Sequence, residues 1–119
     1  MKQLRTCPSS PNCVSSQSQN FKQRMEPIPY AGSRGAAQQK LENIVRAMPR
    51  ATIVLSEPGF FAAEFHSLIF RFVDEAEFSF DETSRLIHFR SGARTGYSDF
   101  GVNRARMEKI AAAFQSGMA

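Results

Sequence analysis

The residues best suited to binding chemistry are concentrated between Arg90 and Met107. This stretch contains four of the chain's eleven arginines and three of its seven glycines. Arginine side chains beside the free backbone N–H groups of a helix N-terminus can hold an anion. The candidate ligand-binding residues are Arg90, Ser91, Arg94, Ser98, Asp99, Asn103 and Arg104. Asp99 opposes an anion site, because its own carboxylate already occupies the positive end of the predicted helix.

Carboxylates in and near this stretch offer a structural role for the same arginines. The acids concerned are Asp74, Glu75 and Asp99. In the interpretation that we prefer, they neutralise Arg94 and Arg104 and so hold the loop in one conformation without a ligand. Asp74 and Glu75 are therefore candidate structural ion-pair residues.

An enzyme is the alternative function. Asp74 and Asp99 could exchange protons with a substrate. Arg90 and Arg94 would bind that substrate if it were a small anion. The chain contains no phosphate-loop, nucleophile-elbow or zinc-protease motif. We therefore predict a small non-catalytic binding or scaffold domain whose partner is an anionic small molecule or a protein, and we assign no catalytic residue and no cofactor.

Two helices and four strands are predicted to position these residues. Apolar residues at helical spacing predict a helix from Gly35 to Met48 and a last helix that runs from Ser98 or Asp99 to about Ser116. Alternating and β-branched residues predict four strands, which are Ala51–Ser56, Phe60–Ser67, Ala76–Asp81 and Leu86–Ser91. Residues 68–73 are predicted to form either a strand or a short buried turn.

The order of these elements predicts an α+β fold. Short connections favour antiparallel neighbours, so we expect a four-stranded, mainly antiparallel sheet with two helices packed on one face. The opposite face would carry Glu64, His66, His88 and Arg90. Residues 1–35 are polar and proline-containing, and they are predicted to form an irregular N-terminal arm that packs on the domain. Residues 36–119 would form a single α+β domain.

Asn103 is a polar residue on the otherwise apolar stripe of the last helix. It lies three residues after Phe100 and four before Met107, so all three share one helix face. A buried amide without a partner costs about 1–3 kcal/mol. We therefore predict that the Asn103 side chain bonds main-chain groups of the irregular turn from Ser91 to Ser98. The alternative is an Asn at the edge of the stripe that bonds to water.

Two cysteines, Cys7 and Cys13, enclose a short loop that contains two prolines. A disulfide between them is sterically feasible in an oxidising compartment, whereas a reducing compartment would leave two free thiols. A zinc site would need two further ligands, and the chain has only His66 and His88 to offer. Their spacing matches no zinc module, so no metal is predicted.

Length and charge narrow the class of protein. A chain of 119 residues with a net charge of +4 suits one mildly basic domain. Basic residues without a legible nucleic-acid module argue against a nucleic-acid partner. No apolar run reaches the ~20 residues that a membrane span needs. The first six residues lack the apolar core of a signal peptide, which predicts a cytoplasmic location by default.

Four segments resemble, in the same order, the uncharacterised bacterial and plastid family numbered 1499 among the domains of unknown function. These segments are Cys7–Ser16, Met48–Arg50, Phe70–Phe78 and Arg90–Arg106. This chain has Ala93 where the family pattern usually has Ser, and Glu75 where a second Asp is usual. The resemblance implies a small α+β domain without an established activity. It also implies a cell-envelope or thylakoid-lumen setting, which favours a Cys7–Cys13 disulfide.

Overall fold

The structure, a computed structural model, describes residues 2–68, 72–95 and 101–116. Within these ranges the elements follow in the order β1 (Cys13–Ser15), β2 (Ile28–Pro29), α1 (Arg34–Arg46), β3 (Ala51–Glu57), β4 (Phe60–His66), β5 (Val73–Asp81), β6 (Leu86–Ala93) and α2 (Val102–Gln115). All pairings between these strands are antiparallel. The predicted α+β fold is confirmed.

Within the part of the chain that the structure describes, the sheet has six strands rather than the four that were predicted. Strands β3 to β6 are the predicted ones, and they lie side by side in the order β6-β5-β4-β3. The additional strands β1 and β2 come from the segment predicted to be an irregular arm. Both pair with the outer edge of β6, β1 at Arg90–Gly92 and β2 at Leu86 and Ile87. Strands of two or three residues are too short to show an alternating pattern, so periodicity could not reveal them.

The first helix is close to its predicted limits. It ends at Arg46, two residues before the predicted Met48. The hydroxyl of Ser33 accepts a hydrogen bond from the Ala36 N–H at 3.1 Å, which satisfies one of the free donors of the first turn.

The last helix begins later than predicted. It starts at Val102, and the preceding Gly101 has a φ of 80°. This left-handed conformation suits glycine and interrupts a right-handed helix, which explains the later start. The predicted capping residues Ser98 and Asp99 lie outside the described residues.

The connection between β4 and β5 also differs from its prediction. Residues 68–73 were expected to form a strand or a buried turn, but the side chains of Leu68 and Phe72 are exposed. Val73 already belongs to β5, which pairs with β6 as far as Asp74 opposite Ala93. Residues 69–71 lie outside the described part of the chain.

The core lies between the two helices and one face of the sheet. Strand residues of that face, including Phe61, Phe78 and Phe89, form one buried cluster with Leu41 of α1 and Met107 of α2. All five side chains are fully shielded from solvent. Burial of such side chains contributes about 1.5–3 kcal/mol each, so this cluster is a major source of the stability of the fold.

The opposite face of the sheet is partly covered by the N-terminal residues. The Ser79 hydroxyl donates a hydrogen bond to the Lys2 carbonyl oxygen at 2.7 Å, and the Arg5 N–H donates to Glu77 Oε1 at 2.9 Å. Arg90, which was expected on an open polar face, is consequently only 7% exposed. The expectation of an open face was wrong at this position, because nothing local in the sequence shows that residues 2–7 cross it.

A disulfide joins Cys7 to Cys13, with 5.8 Å between the Cα atoms. Cys13 lies opposite Gly92 in the sheet, and a Cβ atom at Gly92 would stand 2.9 Å from the Cys13 sulfur. Glycine is therefore required at position 92, since any side chain would collide with the disulfide. The disulfide loop thus packs closely against the strand that leads into the candidate site.

We expect reduction of the disulfide to lower the free energy of unfolding by about 2 kcal/mol, because a closed loop of this size restricts the unfolded chain. Urea melts of oxidised and reduced protein would measure the difference. The Cys7→Ser/Cys13→Ser double variant is the control and should match the reduced protein. Equal midpoints for oxidised and reduced protein would contradict the expectation.

Candidate functional site

Asn103 lies at the centre of a buried polar network. Its side chain has no solvent exposure. The Ser91 hydroxyl donates to Asn103 Oδ1 at 2.6 Å, and Asn103 Nδ2 donates to the Asn12 carbonyl oxygen at 3.4 Å. The prediction of a buried, bonded amide is thereby supported over an edge position in water. These two partners are a hydroxyl of β6 and a carbonyl of the disulfide loop, whereas residues 96–98 of the predicted turn lie outside the described residues.

Arg106 extends this network to the sheet. Its Nη1 donates to Asn103 Oδ1 at 3.1 Å and lies 3.0 Å from Asp74 Oδ2. The guanidinium also stacks over the Phe65 ring, 4.4 Å from the ring centroid. Both members of the Arg106–Asp74 pair are largely buried. We call Asn12, Ser91, Asn103, Arg106 and Asp74 the Asn103 network.

Arg106 was not among the candidate residues predicted from the sequence, although a signal for it existed. It lies three residues after Asn103, on the same face of α2. Arg104, which was predicted, lies on another face and donates from Nη2 to the Lys22 carbonyl oxygen at 2.7 Å. That bond ties α2 to the N-terminal arm.

Arg94 lies between two carboxylates at the surface. Its Nε donates to Glu75 Oε2 at 2.8 Å, and its Nη2 donates to Glu64 Oε2 at 2.6 Å. Partial burial by itself would raise the pKa of Glu75, but the hydrogen bond from Arg94 and the charge of Arg5 together hold that pKa below its usual value. The charge of Arg94 is therefore already balanced by groups of the protein.

Arg90 is separated from Asp74 by the sheet. It lies opposite Glu77, whereas Asp74 lies opposite Ala93, and these two pairs point to different faces because successive strand residues alternate. Burial, followed by the nearby charge of Arg5, lowers the pKa of Arg90. The fold thus does not bring Arg90 and Asp74 into one site. The other two predicted site residues of this segment, Ser98 and Asp99, lie outside the described residues.

A groove of about 510 Å³ opens beside the Asn103 network. Its wall is mostly apolar and is formed by Met48, Pro49, Phe65, Leu68, Phe72 and Val102. Three of these side chains remain well exposed, Leu68 at 76%, Phe72 at 60% and Val102 at 46%. Its polar lining includes Arg50, His66 and the Arg106–Asp74 pair. We call this feature the β4–α2 groove.

Within residues 2–68, 72–95 and 101–116, no group of three His, Cys, Asp or Glu side chains is arranged to hold a metal ion. Neither of the described helices has the length and apolar character required to cross a membrane.

We expect the Asn103→Leu variant to lose about 2 kcal/mol or more of unfolding free energy, because Leu leaves the Asn12 carbonyl, the Ser91 hydroxyl and Arg106 without their amide partner. Denaturant melts would measure the loss. The matched control is Asn43→Leu, an exposed Asn of α1, which should change stability by no more than about 0.5 kcal/mol. An unchanged or higher midpoint for Asn103→Leu would contradict a structural role for the network.

We expect the Arg94→Gln variant to raise the pKa of Glu75 towards its ordinary value. In the wild type the folded-state pKa is depressed, so this ion pair stabilises the fold above the unfolded-state pKa of about 4.3, and the effect is lost as pH falls through the folded value. Carboxyl NMR titration would follow Glu75 directly, and urea melts at neutral and acid pH would show the two proteins converging in acid. Arg46→Gln serves as the control, since Arg46 pairs with Glu42 instead. An unshifted Glu75 titration in Arg94→Gln would refute the assignment.

One known protein family matches the sequence of this chain. The model of the family described as protein of unknown function (DUF1499) matches residues 3–114, which is nearly the whole chain. No curated protein shows a significant match. The matched range contains all four segments on which the sequence resemblance rested. The chain therefore belongs to the DUF1499 family of proteins of unknown function.

Proposed function

We propose that the protein is a small non-catalytic binding domain and that the β4–α2 groove holds the apolar part of its ligand. The observation that carries this proposal is the exposure of Leu68, Phe72 and Val102 around one concave surface. Ligand sites are typically concave and mostly apolar, with a few polar groups at fixed positions. Ala93 at the end of β6, Thr95 in the following loop and Val102 at the start of α2 all line the groove, so the arginine-rich strand–turn–helix forms one side of it.

The groups around the groove support binding rather than acid–base catalysis. The carboxylate of Asp74 is engaged by Arg106, and His66 Nε2 lies 3.4 Å from the Glu64 carboxylate. A general base must lie within hydrogen-bond reach of the proton that it removes, and both of these groups are already held by a protein partner. The enzyme alternative also requires Arg90, which lies on the far side of the sheet from Asp74.

The charge at the rim indicates an anionic end on the ligand. Arg50 uses its Nε to donate to the His66 carbonyl oxygen at 2.9 Å, and its exposed guanidinium borders the groove. The remaining N–H groups of that guanidinium are directed donors suited to a carboxylate or sulfonate. We therefore propose an amphiphilic ligand, with an apolar body in the groove and an anionic group at Arg50.

We also propose a cellular compartment for the protein. A disulfide persists in oxidising surroundings, so the Cys7–Cys13 bond supports a cell-envelope setting for the protein. Mass spectrometry of protein alkylated without reductant, taken from its native source, would show an unmodified pair there. Two alkylated thiols would instead support a reducing compartment.

A fluorescent apolar anion, 8-anilinonaphthalene-1-sulfonate, tests the groove. We expect the Phe72→Ser variant to bind it about tenfold more weakly, because an aromatic contact of roughly 1.5 kcal/mol is lost from an exposed position that the fold does not need. Arg50→Gln should also weaken binding of the dye. Phe21→Ser, which removes another exposed Phe that does not line the groove, is the control and should leave the affinity unchanged. Equal affinities for Phe72→Ser and wild type would refute the proposal.

A further inference from the structure

Arg90 is a buried cation whose guanidinium contacts no counter-charge among the described residues. Its side chain is only 7% exposed, and its Nε is completely buried without a hydrogen bond. Within the part of the chain that the structure describes, no hydrogen bond or ion pair holds this side chain. Arginine is seldom buried unless it is paired, because the removal of its charge from water is costly. Its burial therefore calls for an acceptor that the described residues do not provide.

The two carboxylates beside Arg90 on its face of the sheet are engaged by other arginines. Glu77 lies directly opposite Arg90 in the pairing of β5 with β6. Its Oε1 accepts from the Arg5 backbone N–H at 2.9 Å, and its Oε2 accepts from Arg5 Nε at 3.0 Å. Glu75 is paired with both Arg5 and Arg94. Each carboxylate therefore already balances the charge of an arginine other than Arg90.

A cavity of about 380 Å³ lies on the same face, between the N-terminal residues and the end of β1 with the loop that follows. Residues 3–7 form one wall, and Ser15 with residues 17–19 forms the other. We call it the N-terminal cavity. It shares no lining residue with the β4–α2 groove.

The register of the sheet places Arg90 below the N-terminal cavity. Ser15, in one wall, lies directly opposite Arg90, so the two side chains share a face and their Cβ atoms are about 5 Å apart. Arg5, in the other wall, donates to Glu77, which is the neighbour of Arg90 on its other side. The Arg90 side chain therefore rises from the sheet between the two walls.

The lining of the N-terminal cavity suits a ligand with several hydroxyl groups. Its amide and hydroxyl side chains both donate and accept hydrogen bonds, and they include Gln3, Thr6, Gln17, Ser18 and Gln19. A planar guanidinium below them suits a carboxylate, which it binds through two parallel N–H···O bonds.

We propose that the N-terminal cavity binds a small hydroxycarboxylate, whose hydroxyl groups bond the walls and whose carboxylate pairs with Arg90. Because Arg90 Nε is buried, residues 2–6 must shift to admit the carboxylate. They are held by ion pairs of Lys2 and Arg5, whose side chains are 49% and 54% exposed, and such pairs add little stability. The disulfide at Cys7 keeps the end of this segment in place. This inference does not depend on the proposed function.

Titration of the full, oxidised chain with D-gluconate, a hydroxycarboxylate, tests the site by NMR. We expect the side-chain Nε–H resonance of Arg90 to shift, because this N–H gains an acceptor. The Nε–H of Arg94 already donates to Glu75, so it is the internal control and should stay in place. Sorbitol, which offers similar hydroxyl groups without a carboxylate, should shift neither resonance.

Three variants locate the binding. Arg90→Met should weaken the affinity for gluconate about tenfold or more, because a charged contact of two hydrogen bonds is lost. Gln17→Ala, an exposed position in the wall, should weaken it severalfold through the loss of one hydrogen bond. Arg46→Met, an exposed arginine of α1 outside the cavity, is the control and should bind gluconate like wild type.

Thermal melts separate a binding role of Arg90 from a structural one. Without gluconate, Arg90→Met should melt at the wild-type temperature or above, because it removes a buried charge that no described residue pairs. Saturating gluconate should raise the Tm of wild type and leave that of Arg90→Met unchanged.

Two results would overturn the proposal. A lower Tm for Arg90→Met, with no effect of gluconate on wild type, would make Arg90 a purely structural residue. An equal shift of the Arg90 resonance with sodium sulfate at the same ionic strength would refute the hydroxycarboxylate as the ligand class. If Arg90→Met does not fold, an unchanged gluconate affinity in Gln17→Ala would refute the cavity as the site.

Discussion

The buried amide of Asn103 is the interaction on which the arrangement of the site depends. A polar group without solvent access must be satisfied by the protein, and the partners of this one come from β6, the disulfide loop and α2. Because the bonds converge on one side chain, the three segments cannot shift independently of one another. The disulfide reinforces this constraint, since Asn12 lies directly before Cys13 and its carbonyl also accepts the Ala93 N–H at 3.0 Å.

The Asn103 network also explains why the neighbouring groove has a defined shape. Arg106 connects α2 to Asp74 of β5 and covers the ring of Phe65, so the helix and the sheet are held at a fixed separation where the groove opens. A largely buried ion pair adds little net stability, because desolvation offsets much of the attraction. Its effect is on geometry, which is what a preformed binding surface requires.

The arginines near the end of the chain show how neighbours decide the role of one residue type. Arg94 is neutralised at the surface by two glutamates, whereas Arg106 is buried against a ring and an aspartate. Arg90 is covered by the N-terminal residues, and Arg104 binds a carbonyl of the arm. A shared anion site was one prediction from their proximity in sequence. The fold instead places Arg90 and Arg94 on one face of the sheet and Arg104 and Arg106 on α2.

Local patterns in the sequence were sufficient to predict the helices, the four long strands β3 to β6 and the burial of Asn103. Each of these follows from interactions within a few residues: apolar spacing, alternation, and the position of one amide on an apolar stripe. Local patterns could not reveal β1 and β2, because two or three residues carry no period and their stability comes from the free edge of β6. They also left Arg106 unassigned, since its partners Asp74 and Phe65 lie far away in the chain.

The sequence by itself therefore determined the α+β class, the membership of a family and the polar residue that the core had to accommodate. The tertiary structure decided which groups hydrogen-bond to Asn103, which arginines are paired with carboxylates and which apolar side chains remain exposed. The physical reason is that propensity and periodicity act over neighbouring residues. Burial, ion pairing and the closing of a sheet edge depend on contacts between segments as distant as Asn12 and Asn103.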